Sequence, residues 1–399
     1  MSEDLLKSLA NPELQEFIRI HENDDGQDLI LKGKTIYGVP APLVADQISG
    51  RKKAKTKLPL FYKTAGVIFP PGKNLEQSSS EETARFKSTL VRRGNCFADL
   101  TAGLGVDTFF FSKNFDEAHY VEQSSELLLI AKHNHQQLGS QNIFYHNDSC
   151  EHFLNETKKV FDLVYIDPSR RTDRDQKVFR LQNCTPDVTV LLSSIFRKTN
   201  TVLIKVSPLL DIQQGIKELP EVEKIFVVSV NNECKELLFL CRKSFVGEAS
   251  IETINILPNR TEQFNVRLSD EKNTVSTFSD PCTYLYEPNV SILKAGAFKR
   301  IASEFGLTKI SPSTHLYTSE DLIEKFPGRI FKSITLLKPD EKAAKKHILG
   351  GMANVITRNH PLSPDQLKKK MKLRDGGQQY VIGFSGVTEK FVMLAERIK

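Results

Sequence analysis

The sequence contains no tryptophan, no Cys-x-x-Cys pair and no apolar run approaching the roughly 20 residues needed to span a bilayer. Without tryptophan, the 25 phenylalanines must supply most of the aromatic bulk of any core. The six cysteines, at positions 96, 150, 184, 234, 241 and 282, are scattered. The start, Met1-Ser2-Glu3-Asp4, is acidic and lacks the apolar segment of a signal peptide. These absences predict a cytoplasmic protein with reduced thiols and no membrane partner. No long internal repeat and no low-complexity tract is present. No Gly-x-Ser-x-Gly elbow supports serine hydrolysis. Val202-Leu203-Ile204-Lys205 resembles a kinase lysine strand, but no catalytic-loop or Asp-Phe-Gly signature follows it. Lys205 either borders a cleft at a strand end or is plain surface.

A length of 399 residues suggests two or three domains, and 39% hydrophobic content is enough for ordinary cores. The net charge of +6 is modest, but it is unevenly spread. Residues 331–399 hold 14 Lys/Arg against 6 Asp/Glu, a local +8, which leaves the rest of the chain at −2. A second basic run is Arg51, Lys52, Lys53, Lys55, Lys57 and Lys63, with no acid between 51 and 63. Each run alone reads as solvated surface. Two of them flanking one domain point to a polyanionic partner.

Residues 1–90 read as a mainly helical domain. Leu5, Leu6, Leu9, Leu14, Phe17 and Ile18 recur at helical spacing, and Pro12 suits an early helix position. Pro70-Pro71-Gly72 marks a loop. Ser78-Ser79-Ser80-Glu81-Glu82 offers overlapping Ser-x-x-Glu capping boxes before a helix to about Val91. In 91–245 strands and helices alternate, with strands expected at 96–100, 118–122, 142–146, 162–166, 201–206, 225–230 and 236–242, and a helix over Ser124–Leu138. This is the rhythm of an α/β doubly wound parallel sheet. The last two strands, joined around Asn231-Asn232, form an antiparallel hairpin. Residues 246–327 read as a connector and a further unit with a helix near Leu293–Phe305. Residues 328–399 give strand, helix, strand, basic helix, strand, strand.

The chemistry concentrates in Phe97-Ala98-Asp99-Leu100-Thr101-Ala102-Gly103-Leu104-Gly105-Val106-Asp107. Apolar residues lead into an acid, a two-glycine turn and a helix start. Gly103 and Gly105 permit positive φ and close approach of a ligand to bare backbone. Asp99 suits a ligand of positive charge better than a phosphate. Glu122 ends the second strand, where an acid accepts both hydroxyls of a ribose. Asp148, in Asn147-Asp148-Ser149, follows the third strand, where an acid takes an exocyclic amine. Asp167 ends the fourth. Each acid alone has a bland reading as a cap. Four in register, at the sheet edge where open α/β folds bind ligands, define a nucleoside site.

Taken together, these motifs resemble the class I S-adenosylmethionine-dependent methyltransferases over roughly 75–245. Their Rossmann-like, seven-stranded sheet ends in an antiparallel hairpin. A closer resemblance is to bacterial methyltransferase-like proteins with a C-terminal THUMP-like domain. It rests on Asp167-Pro168-Ser169-Arg170-Arg171, Glu76-Gln77-Ser78-Ser79, Tyr286-Glu287-Pro288 with Lys294-Ala295-Gly296, and the basic Leu367–Arg374. The resemblance implies α+β ferredoxin-like and THUMP-like units after the sheet, and S-adenosylmethionine as cofactor. Its methionine end would lie on Asp99, Thr101, Gly103 and Gly105, with Gln77 and Ser79 closing the pocket. Asp107 assists there or serves the helix dipole. Glu122 would hold the ribose, and Asp148 with Ser149 the adenine. THUMP domains bind RNA, mainly tRNA, so a tRNA or rRNA substrate is implied, its target base entering beside Asp167 and the Pro168 carbonyl. N-methyltransferases of flipped bases carry Asp/Asn-Pro-Pro-Tyr/Phe there, whereas Ser169 and Arg170 replace the second proline and the stacking ring. Arg170 and Arg171 then bind a phosphate or stack on a base, or one pairs with Asp173 or Asp175 and fixes the loop.

Other classes fit less well. A nicotinamide oxidoreductase could use the Gly103 loop and Glu122, but Thr108 stands where that fingerprint has its third glycine. No metal is expected, because His133 and His135 are two apart on a helix and do not share a face. A catalytically inactive RNA-binding protein and a small-molecule methyltransferase remain as alternatives.

Overall fold

The computed structural model describes residues 2–24, 34–170 and 180–399. The chain divides into two compact units, Met1–Glu223 with Leu237–Gly247, and Lys224–Glu236 with Glu248–Lys399.

The first unit begins with helices α1 (Glu3–Leu9), α2 (Pro12–Ile20), α3 (Ala41–Lys57), α4 (Pro59–Lys63), α5 (Gly72–Gln77) and α6 (Glu81–Thr89). Pro12 opens α2 behind Asn11, whose side chain accepts from the Glu13 and Leu14 amides. The overlapping capping boxes ahead of α6 do not form. Ser80 alone caps the helix, accepting from the Thr83 amide. Glu81 turns instead to the Leu60 amide at 2.6 Å and to Arg85, and Ser79 is drawn inward. The basic run on α3 is largely engaged within the unit. Arg51 and Lys55 pair with Glu22 at 3.1 and 3.6 Å, and Lys53 pairs with Glu76. Lys57 Nζ donates to the carbonyls of Leu75 and Glu76 at 2.8 and 2.6 Å. These cations fasten α3 to its neighbours, which weakens this run as a polyanion surface.

The expected strands all form, displaced by at most three residues at either end: β1 (Gly94–Asp99), β2 (Phe115–Val121), β3 (Ile143–His146), β4 (Leu163–Ile166), β5 (Thr201–Val206), β6 (Val222–Val230) and β7 (Glu233–Arg242). Helices α7 (Val106–Ser112), α8 (Ser125–Gln137), α9 (Cys150–Glu156), α10 (Val188–Ile195) and α11 (Ile212–Glu218) alternate with them. Within the first unit the order is β3-β2-β1-β4-β5-β7, parallel except for β7, which runs antiparallel to β5. β6 turns into β7 through Asn231 and Asn232, at φ +51° and +64°, the left-handed pair that a two-residue hairpin turn requires. β4, Leu-Val-Tyr-Ile, is buried throughout, as a central parallel strand must be. Strand order reverses between β1 and β4, and this switch point opens a crevice at the carboxyl edge. Phe61 and Phe69 of the N-terminal region share one apolar core with Val106, Phe109 and Phe110 of α7 and Ile130 of α8. Gln47 and Asn134 hold the irregular chain between them through paired bonds to the Phe69 and Ile68 backbones.

In the second unit, β6 from Lys224 onward lies parallel to β8 (Ser250–Leu257), which pairs antiparallel with β9 (Arg260–Arg267). A short α12 (Leu268–Asn273) follows. A seven-stranded sheet then forms from β10 (Tyr284–Pro288), β11 (Thr308–Ser311), β12 (Thr314–Ser319), β13 (Gly328–Leu336), β14 (Asn354–Arg358), β15 (Gln379–Ser385) and β16 (Lys390–Arg397), in the order β11-β12-β10-β13-β16-β15-β14. The single helix expected near 293–305 is two, α13 (Val290–Ala295) and α14 (Arg300–Glu304), because Gly296 turns left-handed at φ +73° and ends the first. Beyond β13, α15 (Glu341–His347) and the basic α16 (Pro364–Met371) fall where the pattern put them. α16 starts with a full capping box between Ser363 and Gln366. Glu287 of β10 is buried and accepts from both Arg329 of β13 and Arg358 of β14. Among the described residues no helix is long and apolar enough to cross a membrane.

The first residue of β13, Gly328, lies against β10 so closely that an added Cβ would stand 2.1 Å from the Glu287 carbonyl oxygen. Gly328→Ala is expected to push the two strands apart and cost about 1–3 kcal/mol, read as a lowered thermal midpoint of the full chain.

Candidate active site

The loop leaving β1 is stitched to both neighbouring strands. The Leu100 amide donates to the Tyr165 carbonyl of β4 at 3.0 Å, and the Ala102 amide to the Val121 carbonyl of β2 at 3.1 Å. Its two glycines do different work. Gly103 sits at φ +54°, and a Cβ there would meet nothing within 4 Å, so its face is open to a ligand. Gly105, at φ +76°, caps α7 from a closed position, where a Cβ would come within 2.5 Å of the His135 ring. His135 Nε2 donates to the Gly105 carbonyl at 2.9 Å while Nδ1 accepts from the Tyr145 hydroxyl at 3.0 Å. Burial lowers the His135 pKa to about 4, which keeps the ring neutral. His133 reaches a different partner, the Gly66 carbonyl.

Asp99 ends β1 and is 1% exposed. Both its oxygens are used inside the loop: Oδ1 accepts from the Thr101 amide at 3.2 Å and Oδ2 from the Thr108 hydroxyl at 2.6 Å. Asp99 therefore locks the turn from behind. Asp107 is also buried, and it is a hub. Its Oδ2 accepts from Ser79 at 2.6 Å and from Tyr165 at 2.8 Å, and Oδ1 lies 3.0 Å from the ammonium of fully buried Lys87 on α6. Lys87 also donates to Ser79 at 2.8 Å. Burial alone would raise both carboxyl pKa values. At Asp107 the Lys87 and Lys205 charges and the Ser79 hydrogen bond outweigh it, and the pKa falls below the ordinary value. At Asp99 burial prevails over the Thr108 bond, the Asp107 charge adds to it, and the pKa rises to about 8. One acid carries the charge and the other the proton.

The remaining expected residues fall along the same edge. Glu122, just past β2, accepts from the Gly103 amide at 2.9 Å through Oε2 and from the Ser124 amide at 2.8 Å through Oε1. Asp148, past β3, pairs with His152 at 2.7 Å, which holds its carboxyl below the usual range, and accepts from the Ser149 amide at 2.8 Å. The Ser149 hydroxyl caps α9 by accepting from the His152 amide. The Thr101 hydroxyl accepts from the Asp167 amide at 2.7 Å, so it ties the β1 loop to the end of β4. Gln77, the last residue of α5, is exposed.

Asp167 itself is ion-paired with Lys205 of β5, a residue the sequence left open between cleft and surface. Pro168 is buried behind it. The backbone continues as a two-residue strand, Ser169–Arg170, paired with Cys184–Thr185, which fixes the direction in which the chain leaves the crevice. Arg171 lies outside the described residues, as do Asp173 and Asp175, so the arginine part of the site reading rests on sequence alone. Lys87, Thr108, Tyr165 and Lys205 are the residues the sequence reading missed or left undecided.

The acids thus stand at the ends of adjacent strands around the switch point, beside a glycine whose face is open. The fold is that of a class I, S-adenosylmethionine-dependent methyltransferase. Three family models match successive segments: conserved hypothetical protein 95 over residues 86–204, a ferredoxin-like domain over 284–327, and a THUMP domain-like family over 328–397. An uncharacterized S-adenosylmethionine-dependent methyltransferase of Mycobacterium tuberculosis is 21% identical over 344 residues, 85% of this chain and 91% of its own length. An uncharacterized methylase of Rickettsia prowazekii is 29% identical over 119 residues, 30% of this chain and 44% of its own. A solved structure of a provisionally assigned methyltransferase from Porphyromonas gingivalis W83 superposes with a TM-score of 0.88 at 27% identity, covering 100% of both chains. The chain is similar throughout to a methyltransferase of solved structure, and its C-terminal segment matches a THUMP domain-like family.

Two outcomes follow from the buried acids. Lys87→Met leaves Asp107 without its counter-charge and is expected to destabilise the fold by about 3–5 kcal/mol in urea denaturation, with Asp107→Asn in the same chain restoring part of the loss. Asp99 keeps its proton in the folded chain up to about pH 8, while an unfolded aspartate loses it near pH 4. Its contribution to stability is thus complete below about pH 4 and is lost as pH rises to 8. Asp99→Asn should flatten the decline of the thermal midpoint between about pH 5 and 8.

Proposed function

We propose that this is a cytoplasmic enzyme that methylates a nucleotide of tRNA or rRNA. The observation that carries the reading is the alignment of Asp99, Glu122, Asp148 and Asp167 at or just beyond the ends of four adjacent parallel strands. S-adenosylmethionine, when bound, supplies a methyl group already activated by its sulfonium, so the protein's task is alignment more than proton transfer. The open face of Gly103 receives the methionine end, with Gln77 and Ser79 closing that pocket from the segment between α5 and α6. Asp99 and Thr101 keep the loop in shape behind it, Gly105 fixes the head of α7, and Asp107 anchors Ser79. Glu122 takes the ribose hydroxyls, and Asp148 beside Ser149 takes the adenine amine.

Asp167 and the Pro168 carbonyl accept from the nucleotide atom to be methylated and hold its lone pair in line. Lys205 keeps the Asp167 carboxylate oriented. Arg170 and Arg171 follow directly on this strand end and meet the phosphate or base of the RNA. Support for an RNA acceptor comes from the THUMP-like segment and from its basic helix, where Lys369 and Lys370 are exposed.

Nucleoside mass spectrometry of tRNA and rRNA from a strain lacking the gene is expected to miss one methylated nucleoside; an unchanged profile would overturn the RNA assignment. In the purified protein, Asp167→Asn should lower methyl transfer about a hundredfold or more while calorimetric S-adenosylmethionine affinity stays within about twofold. RNA affinity should fall steeply with salt, and alanines at Lys369 and Lys370 should reduce that salt dependence.

A further inference from the structure

A second cluster of chemistry-bearing side chains lies lower on the sheet, away from the carboxyl edge. Cys96 of β1 and Glu117 of β2 are register partners, and His119 follows two residues later. Alternation along a strand puts all three on one face. Their ligand atoms, Cys96 Sγ, a Glu117 carboxylate oxygen and a His119 ring nitrogen, lie within 4.8 Å of one another. His119 is 4% exposed, and its buried Nε2 makes no hydrogen bond; Glu117 Oε2 stands 3.5 Å away. Its other nitrogen, Nδ1, is 2.9 Å from His146 Nε2 of β3. When Nδ1 donates to His146, Nε2 turns its lone pair toward the thiol and the carboxylate. Phe144, Phe153 and Phe161 pack around the imidazole and fix its plane.

From this geometry we propose that Cys96, Glu117 and His119 bind a borderline divalent transition-metal ion of the zinc type. Thiolate, imidazole and carboxylate are the ligand set such an ion prefers. Bonds of about 2.0–2.3 Å in tetrahedral geometry put neighbouring ligand atoms about 3.3–3.8 Å apart, so a contraction of about an ångström brings all three into coordination. A histidine whose second nitrogen is held by an outer partner is the usual arrangement at such ions. The Lys159 ammonium now pairs with Glu117, where a dication would sit more strongly; its side chain is 47% exposed and can turn to solvent. Binding replaces the thiol proton of Cys96 with the metal, and the proton leaves to water. The fourth position stays open to water on the partly exposed Glu117 side. The ion would pin β1 to β2 three residues before Asp99, as a structural clamp under the site rather than a part of it.

His133 and His135, close in sequence, take no part in this cluster. The candidate ligands are instead assembled by strand pairing.

Cobalt(II) titration of the chelator-stripped full chain tests this. One equivalent should bind with a near-ultraviolet thiolate-to-metal charge-transfer band and visible d–d bands. Cys96→Ser, close to isosteric, should abolish the charge-transfer band, and His119→Gln or Glu117→Gln should weaken binding at least about tenfold. S-adenosylmethionine affinity and the metal-free thermal midpoint of Cys96→Ser should match those of the unchanged chain, which separates loss of the metal from loss of the fold. No charge-transfer band, or the same band in Cys96→Ser, overturns the proposal. If the glutamine variants do not fold, the serine variant alone decides it.

Discussion

One buried ion pair, Lys87 with Asp107, joins the helices ahead of the sheet to the acids at its edge. The lysine is fully buried on α6, and the aspartate opens α7. Two charges so enclosed persist only when they are paired and further hydrogen bonds support them, and Ser79 and Tyr165 supply two to Oδ2 of Asp107. The consequence reaches Asp99. With the negative charge already committed to Asp107, the neighbouring acid is easier to keep neutral, and it serves as a hydrogen-bonded brace for the turn. The N-terminal helices are thus part of the site's support, not an appendage to a complete α/β fold.

Much of this was legible in the sequence, for identifiable reasons. β4 is a continuous apolar run that stops at an acid, as is Cys96-Phe97-Ala98 before Asp99, and such runs announce both the strand and its end. The two-glycine turn was legible because glycine takes φ near +54° and +76° at no steric cost. What the sequence could not separate was the work of the two glycines. Gly105 is closed off by His135, thirty residues further on, and no local pattern encodes that contact.

The less legible residues owe their roles to partners that their local pattern does not name. Lys87 sits in a helix where a lysine reads as solvated. Thr108 counted against one fingerprint, yet its hydroxyl holds Asp99. Lys205 did carry a signal: a lysine at the end of an apolar strand, beside a strand that ends in aspartate, has little else to pair with. The basic run on α3 misled in the other direction. Its charges are directed at Glu22, Glu76 and two backbone carbonyls, so unbroken positive charge in sequence did not mean a free positive surface.

The carboxylate of Glu287 bears on where the second unit could be cut. It belongs to the ferredoxin-like segment, yet both arginines that neutralise it, Arg329 and Arg358, belong to the THUMP-like segment. Without the second segment, the first would keep a buried carboxylate with neither of these partners. A cut between the two family models would therefore strip a buried acid of both its cations, so an excised ferredoxin-like segment would need that position neutralised to fold.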